Sequence, residues 1–176
     1  MSEADVRAYA ADRHFSAGTL ARWLAEPQAS RDALLTLAQR LHLGENQFRD
    51  FYDDVADLAA RDQGSIEAVL DGAAVRAAVA RTGGRNEAIK ALKRALRRLR
   101  YPQLSAVEDR LATIVRQLRL PAGLKVEFPA DLEGEDVAVT LRARSAVELR
   151  AQAAALAAAA QDPMLDEMFA LLEGKW

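Results

Sequence analysis

One segment of this chain concentrates positive charge at helical spacing. The stretch from Arg85 to Arg100, RNEAIKALKRALRRLR, contains seven basic residues and one acidic residue, Glu87. Spacings of three and four residues place most of its cations on one side of a helix and its Ala and Leu residues on the other. We call these cations the basic face: Lys90, Lys93, Arg94, Arg97 and Arg98.

Cations at these spacings repel one another, so an anionic partner is expected. Duplex nucleic acid fits best, because its phosphates are regularly spaced and few aromatic residues are available to stack on single-stranded bases. A membrane-surface or calmodulin-target role is weaker, since half of the apolar side is alanine. The alternative is a charged face that meets only water.

A second charged pattern lies earlier in the chain. Four aspartates repeat at the same spacing on a predicted helix, and we call them the acidic face: Asp50, Asp53, Asp54 and Asp57. The acidic face could pair with the basic face, within one chain or across a dimer, with nucleic acid or a protein partner competing for the cations. It could equally be solvated. Carboxylates on one helix cannot converge on a single ion without other ligands, so we predict no metal site.

Groups suited to catalysis are sparse. The chain has no Cys, and its two His, His14 and His42, stand apart in the sequence. No nucleophile elbow, phosphate-binding glycine loop or metal-ligand spacing is present, because Gly83-Gly84 lacks the Lys and Ser/Thr that such a loop needs. We therefore predict a protein that is not an enzyme and that has no cofactor.

Charge is distributed in blocks along the 176 residues. Residues 1–84 contain nine Arg against thirteen Asp and Glu, residues 85–125 eleven basic against three acidic residues, and residues 126–176 four against ten. The change of sign at Thr82-Gly83-Gly84-Arg85 predicts two domains, 1–84 and 85–176. Met1 to Asp12 lacks the apolar stretch of a signal peptide and no run is long enough to span a bilayer, so we expect a cytoplasmic protein without membrane contact.

Helical periodicity dominates the chain. Internal serines precede the apolar runs and are predicted to cap helices; they are Ser16, Ser30, Ser65, Ser105 and Ser145. Two of them have a Glu three residues later, as in a capping box. The helices are predicted near 4–13, 16–25, 31–43, 45–62, 65–71, 73–81, 86–100, 105–119, 145–161 and 163–173.

The exception is the segment between Pro121 and Ser145. Apolar residues alternate with polar or small ones over 124–128 and again over 137–141, which predicts two strands joined by an acidic turn containing Gly134. An isolated hairpin is marginal in water, so it must pack on the helices that begin near Ser105 and Ser145 or pair with a second copy. We therefore expect a homodimer formed through the C-terminal half.

The N-terminal segment Arg7 to Leu24, RAYAADRHFSAGTLARWL, predicts a short helix, a turn at residues 13–15 and a second helix capped by Ser16. This segment resembles the helix-turn-helix of phage-repressor-like DNA-binding proteins, with His14 where that family has a turn glycine. SRDALLTLAQRLHLGENQF, residues 30–48, is similar to the helices that follow in that family. The resemblance implies a recognition helix whose Ala17, Thr19 and Arg22 face the major groove. The alternative is an ordinary helical hairpin whose large apolar side chains are core.

The last predicted helix is rich in Met, Leu and aromatic residues. Core packing is the simple explanation, and a partner-binding helix is the alternative that we favour slightly. The candidate contacts are Met168, Phe169, Leu172 and Trp176.

The C-terminal order of basic helix, capped helix, two strands and long helix is similar to the dimerising tail of ParB-type partition proteins. Glu45-Asn46-Gln47-Phe48-Arg49 further resembles part of the Glu-Asn-x-Gln-Arg box of that family. The Gly-Glu-Arg-Arg nucleotide motif is missing, so the resemblance does not extend to CTP hydrolysis.

Together these patterns predict a mainly α protein, with a helical N-terminal half containing a helix-turn-helix and a C-terminal half of helices plus one β-hairpin. The predicted function is a non-enzymatic, duplex-binding regulator or partition-type protein. The alternative is a protein–protein adaptor or a structural subunit of a larger assembly.

Overall fold

The computed structural model describes residues 2–80, 84–129, 132–134 and 136–174. Its helices are α1 (Glu3–Asp12), α2 (Ala17–Ala25), α3 (Gln28–Leu41), α4 (Glu45–Arg61), α5 (Ile66–Leu70), α6 (Ala73–Val79), α7 (Arg85–Arg100), α8 (Pro102–Gln117), α9 (Ala146–Ala159) and α10 (Met164–Leu172). Two strands, β1 (Leu124–Glu127) and β2 (Ala138–Leu141), form an antiparallel hairpin. The prediction of a mainly α fold with one β-hairpin is confirmed.

The chain forms two compact units, Met1–Tyr101 and Pro102–Trp176. The boundary therefore lies at the end of α7 and not at the predicted position between residues 84 and 85. The reason is that α7 buries Ala88, Leu92 and Leu96 in the core of the first unit. Thr82 and Gly83 of the predicted joint lie outside the described residues.

The first unit is built around an aromatic cluster. Trp23 of α2 is fully buried, with its ring centroid 4.3 Å from that of Phe48 in α4. The Tyr9 hydroxyl of α1 lies 2.8 Å from the carbonyl oxygens of both Ala38 and Leu43, at the end of α3. These contacts fix α1 and α2 against α3 and α4.

Three of the five predicted serine caps are confirmed. The side chains of Ser16, Ser65 and Ser145 each accept a hydrogen bond from a backbone N–H in the first turn of their helix. The predictions for Ser30 and Ser105 are wrong, because both serines lie inside their helices and are buried. Prolines begin these two helices instead: Pro27 precedes α3 and Pro102 is the first residue of α8. The proline ring fixes φ at a value that suits the first turn of a helix.

The second unit has a smaller core. Val107, Leu111 and Ile114 of α8 pack against Met168 and Leu172 of α10. The hairpin pairs Leu124 with Leu141 and Val126 with Val139. Partly buried residues after β1 and before β2, namely Phe128, Leu132 and Val137, cover this core.

Candidate nucleic-acid interface

Helix α7 is held by its neighbours at both ends. At its start, the Arg85 guanidinium donates hydrogen bonds to the carbonyl oxygens of Leu41 and His42, at 2.7 and 3.2 Å. Near its end, Arg61 of α4 donates to the carbonyl oxygens of Leu99 and Arg100, at 2.7 and 3.3 Å. These bonds fix the rotation of α7 and therefore the direction of its basic face.

The basic face lies at the surface of the first unit. Lys90, Lys93, Arg94 and Arg98 are exposed, and Arg97 is half-buried. The side chains of Lys90 and Lys93 keep 68% and 54% of their area open to solvent. A solvent-borne anion can therefore reach the face.

Two lysines of this face are paired with carboxylates. Lys90 pairs with Glu87 on its own helix at 3.0 Å, and Lys93 pairs with Asp50 at a loose 3.8 Å. Arg94 has no ion pair or hydrogen bond to another side chain within the described residues. Exposed pairs of this kind contribute about 0–1 kcal/mol and weaken with salt.

The acidic face of α4 is oriented partly toward α7. Asp54 and Asp57 lie 3.0 and 2.7 Å from the guanidinium of Arg100, which follows the basic face. Asp53 instead pairs with Arg22 of α2 at 2.7 Å. The hypothesised pairing of the two faces therefore occurs at Asp50 with Lys93, while the other three aspartates contact arginines outside the basic face.

A shallow cavity of about 380 Å³ lies between Arg94 and Arg98. Its remaining lining consists of small or apolar residues, Ala74, Ala91, Ala95 and Leu99. Among the residues that the structure describes, no carboxylate lines this cavity. The Arg94 guanidinium at this cavity can bind a phosphate group that approaches from solvent.

The recognition residues expected on α2 have other surroundings. Thr19 is buried, and its hydroxyl donates to the Glu45 carboxylate at 2.6 Å. Arg22 pairs with Asp53 and lies over the ring of Tyr52, with 4.7 Å between guanidinium carbon and ring centroid. Thr19 is thus turned away from solvent. Ala17 and Arg22 are exposed, but the methyl side chain of Ala17 cannot form a hydrogen bond.

Two pKa shifts reflect this packing around α2. Hydrogen bonds from Ser16 and Thr19 lower the pKa of Glu45. Burial, together with the hydrogen bond to Glu26, raises the pKa of Tyr52 to about 12. Both groups hold the helices together, which the sequence reasoning missed because their partners are more than twenty residues away along the chain.

The predicted contacts of the C-terminal helix separate into two groups. Met168 and Leu172 are core residues of the second unit, so they are not available to a partner. Phe169 is 43% exposed. Trp176 lies outside the described residues.

Helix α9 is an exposed apolar element that the sequence reasoning did not identify. Gln152 is its one buried residue; Val147 is 73% and Leu149 is 49% exposed. The Gln152 amide donates to the Arg142 carbonyl oxygen at 2.8 Å and packs against Gly123, where a Cβ would come within 2.0 Å of the amide nitrogen. The alanine-rich segment 153–160 offers little side-chain area with which to pack, but alanine also permits close helix packing, so its composition did not indicate exposure.

Comparisons with known protein families, with curated proteins and with solved structures gave no match to this chain. Within the described residues, no helix has the length and apolar character needed to cross a membrane. The same residues contain no group of three or more His, Cys, Asp or Glu side chains arranged to hold a metal ion.

Proposed function

We propose that this chain is a non-enzymatic nucleic-acid-binding protein that contacts the phosphates of duplex nucleic acid through the basic face of α7. The observation that carries the proposal is the exposure of this face on an anchored helix, with Arg94 unpaired among the described residues. Duplex is favoured over single strands because the basic face contains no aromatic side chain on which a base could stack.

Displacing the carboxylates from Lys90 and Lys93 costs little. The Lys90–Glu87 and Lys93–Asp50 pairs are each about half or more exposed, so water and salt already weaken them. A phosphate that replaces Asp50 also releases a condensed counterion from the nucleic acid, and this release favours binding. These two intramolecular pairs therefore lower the affinity of the basic face for phosphate slightly, but they do not prevent binding.

The protein is expected to contact the phosphate backbone of the duplex and not the edges of its bases. Contacts to phosphate position a protein but carry little sequence information. Thr19 is not included among the contacting residues, because its hydroxyl is already bonded to Glu45. We expect binding that depends on charge and varies little with base sequence.

The test is an anisotropy titration with a labelled duplex of random sequence at low salt. Lys90→Glu with Arg94→Glu should weaken binding at least tenfold, since two cations become two anions. Arg49→Glu on α4 is the control for a single charge reversal elsewhere, because Arg49 is exposed and lies outside the basic face. Equal affinity of the double variant and the wild type would overturn the assignment, provided that thermal unfolding shows both to be folded.

We further propose that the chain forms a homodimer and that a second copy covers α9. Isolated helices of this length are marginal in water, and most helices are stabilised by packing an apolar face. Because α9 buries a single residue, Gln152, its exposed Val147 and Leu149 need a covering surface. Val139 on β2 is exposed as well, and both outer edges of the two-stranded sheet lack a partner strand among the described residues.

Sedimentation velocity measures this assembly directly. The wild type should be dimeric at micromolar concentration, and Val147→Glu with Leu149→Glu should be monomeric with its helix content kept, since Glu is a good helix former. Ala112→Glu, at an exposed position of α8, is the control and should remain dimeric. A wild type that stays monomeric would refute the dimer and favour the other function class, an adaptor whose α9 binds a different protein.

A further inference from the structure

A groove with an apolar floor lies where α3, α5 and α6 meet. Its volume is about 370 Å³, and Leu37, Leu70 and Val75 form its buried floor. This size lies within the range of natural ligand sites, which are mostly apolar with a few polar groups at their edges. The groove belongs to the first unit and shares no lining residue with the basic face.

The polar edge of the groove contains two arginines, Arg40 on α3 and Arg76 on α6. Both are exposed, and neither side chain has a hydrogen bond or ion pair within the described part of the chain. Other arginines of the same unit do have carboxylate partners; Arg22, for example, is bonded to Asp53. Two unpaired guanidinium groups beside one apolar floor therefore need an explanation.

We propose that this groove binds an acidic peptide segment of a partner protein. An apolar side chain of the segment lies on the floor, and its carboxylates bind Arg40 and Arg76 in the bidentate geometry that guanidinium groups favour. We choose a peptide as the occupant because one short chain can provide both the apolar group and the carboxylates that this groove would bind.

Nucleic acid fits this groove poorly. It would bring phosphates to the two arginines but no aliphatic group to cover Leu37 and Val75. Asp71, on the edge of the groove, can accept a hydrogen bond from a peptide N–H, a donor that the phosphate backbone does not have. The two binding surfaces are thus chemically distinct, and the groove does not depend on the proposed duplex binding.

Selection from a random peptide library displayed on phage tests the inference without a known partner. The full-length wild type is the bait, and Arg40→Glu with Arg76→Glu is the counter-selection bait. Peptides specific for the wild type should be enriched in Asp and Glu next to Leu, Ile or Phe. A selection that shows no acidic enrichment over the starting library would overturn the proposal.

The most enriched peptide is then synthesised with a fluorescent label and titrated against each protein. Binding to the Arg40→Glu/Arg76→Glu variant should be roughly tenfold weaker or more, because two favourable charge pairs become repulsive. Arg49→Glu, a single charge reversal outside the groove, should bind as the wild type does. Equal binding to the groove variant and the wild type would place the peptide elsewhere and refute the inference; thermal unfolding of each variant verifies its fold.

Discussion

Replacing Thr19 by Val separates the two roles that this residue could have. The sequence pattern predicts a base-reading side chain, whereas the structure shows a buried hydroxyl that donates to Glu45 at 2.6 Å and links α2 to α4. Valine keeps the shape and removes the donor. Hydrogen bonds to charged groups contribute about 1.5–3 kcal/mol, but Glu45 keeps its two bonds from Ser16. We therefore expect a loss at the lower end of this range, about 1.5 kcal/mol in the free energy of unfolding.

Urea unfolding followed by fluorescence measures this loss. Trp23 is fully buried beside Phe48 and reports on the first unit, so the measurement is made with Trp176→Phe, which leaves Trp23 as the single tryptophan. In a thermal unfolding experiment, each kcal/mol of lost stability should lower the Tm of a unit of this size by roughly 4–8 °C. Duplex affinity should not change. Unaltered stability together with weakened duplex binding would refute the structural assignment of Thr19.

Three further predictions concern substitutions at single positions. Gly123→Ala should destabilise the second unit by about 1–3 kcal/mol in thermal unfolding, because the new Cβ would overlap the amide of Gln152. Gly18→Ala, in α2 with open space around the added methyl, should instead raise stability by up to about 1 kcal/mol. The lowered pKa of Glu45 adds stability above the ordinary value of 4.5 that is lost as the pH falls through its folded value. Glu45→Gln should accordingly flatten the acid side of the stability–pH curve, and an unchanged slope there would contradict the assignment.

Local patterns predicted most of the secondary structure. Helical periodicity and serine caps are encoded within a few residues, so α1, α2, α4, α7 and the hairpin appear close to their predicted limits. The errors at Ser30 and Ser105 have one cause: a preceding proline can begin a helix as well as a serine can, and apolar spacing alone does not distinguish the two starts. The exposure of the basic face also followed from spacing, because buried Leu92 and Leu96 fix the opposite side of α7.

Contacts between distant segments could not be predicted in this way. The bond from Thr19 to Glu45 joins helices separated by a turn and a whole helix, and the groove at Arg40 and Arg76 is formed by three elements. The exposure of α9 was equally hidden, because alanine is compatible with both close packing and an open helix. Tertiary packing decides which partner a charged residue has, and the spacing of apolar residues along the sequence contains no information on that packing.

The salt dependence of duplex binding tests the central proposal most directly. Four exposed cations of the basic face, Lys90, Lys93, Arg94 and Arg98, would neutralise four phosphates. The plot of log affinity against log salt concentration for the wild-type chain should then be linear with a slope of about −3.6, becoming shallower in the Lys90→Glu/Arg94→Glu variant. Absence of duplex binding at low salt, or a slope near zero, would contradict the assignment of α7 as a phosphate-binding helix.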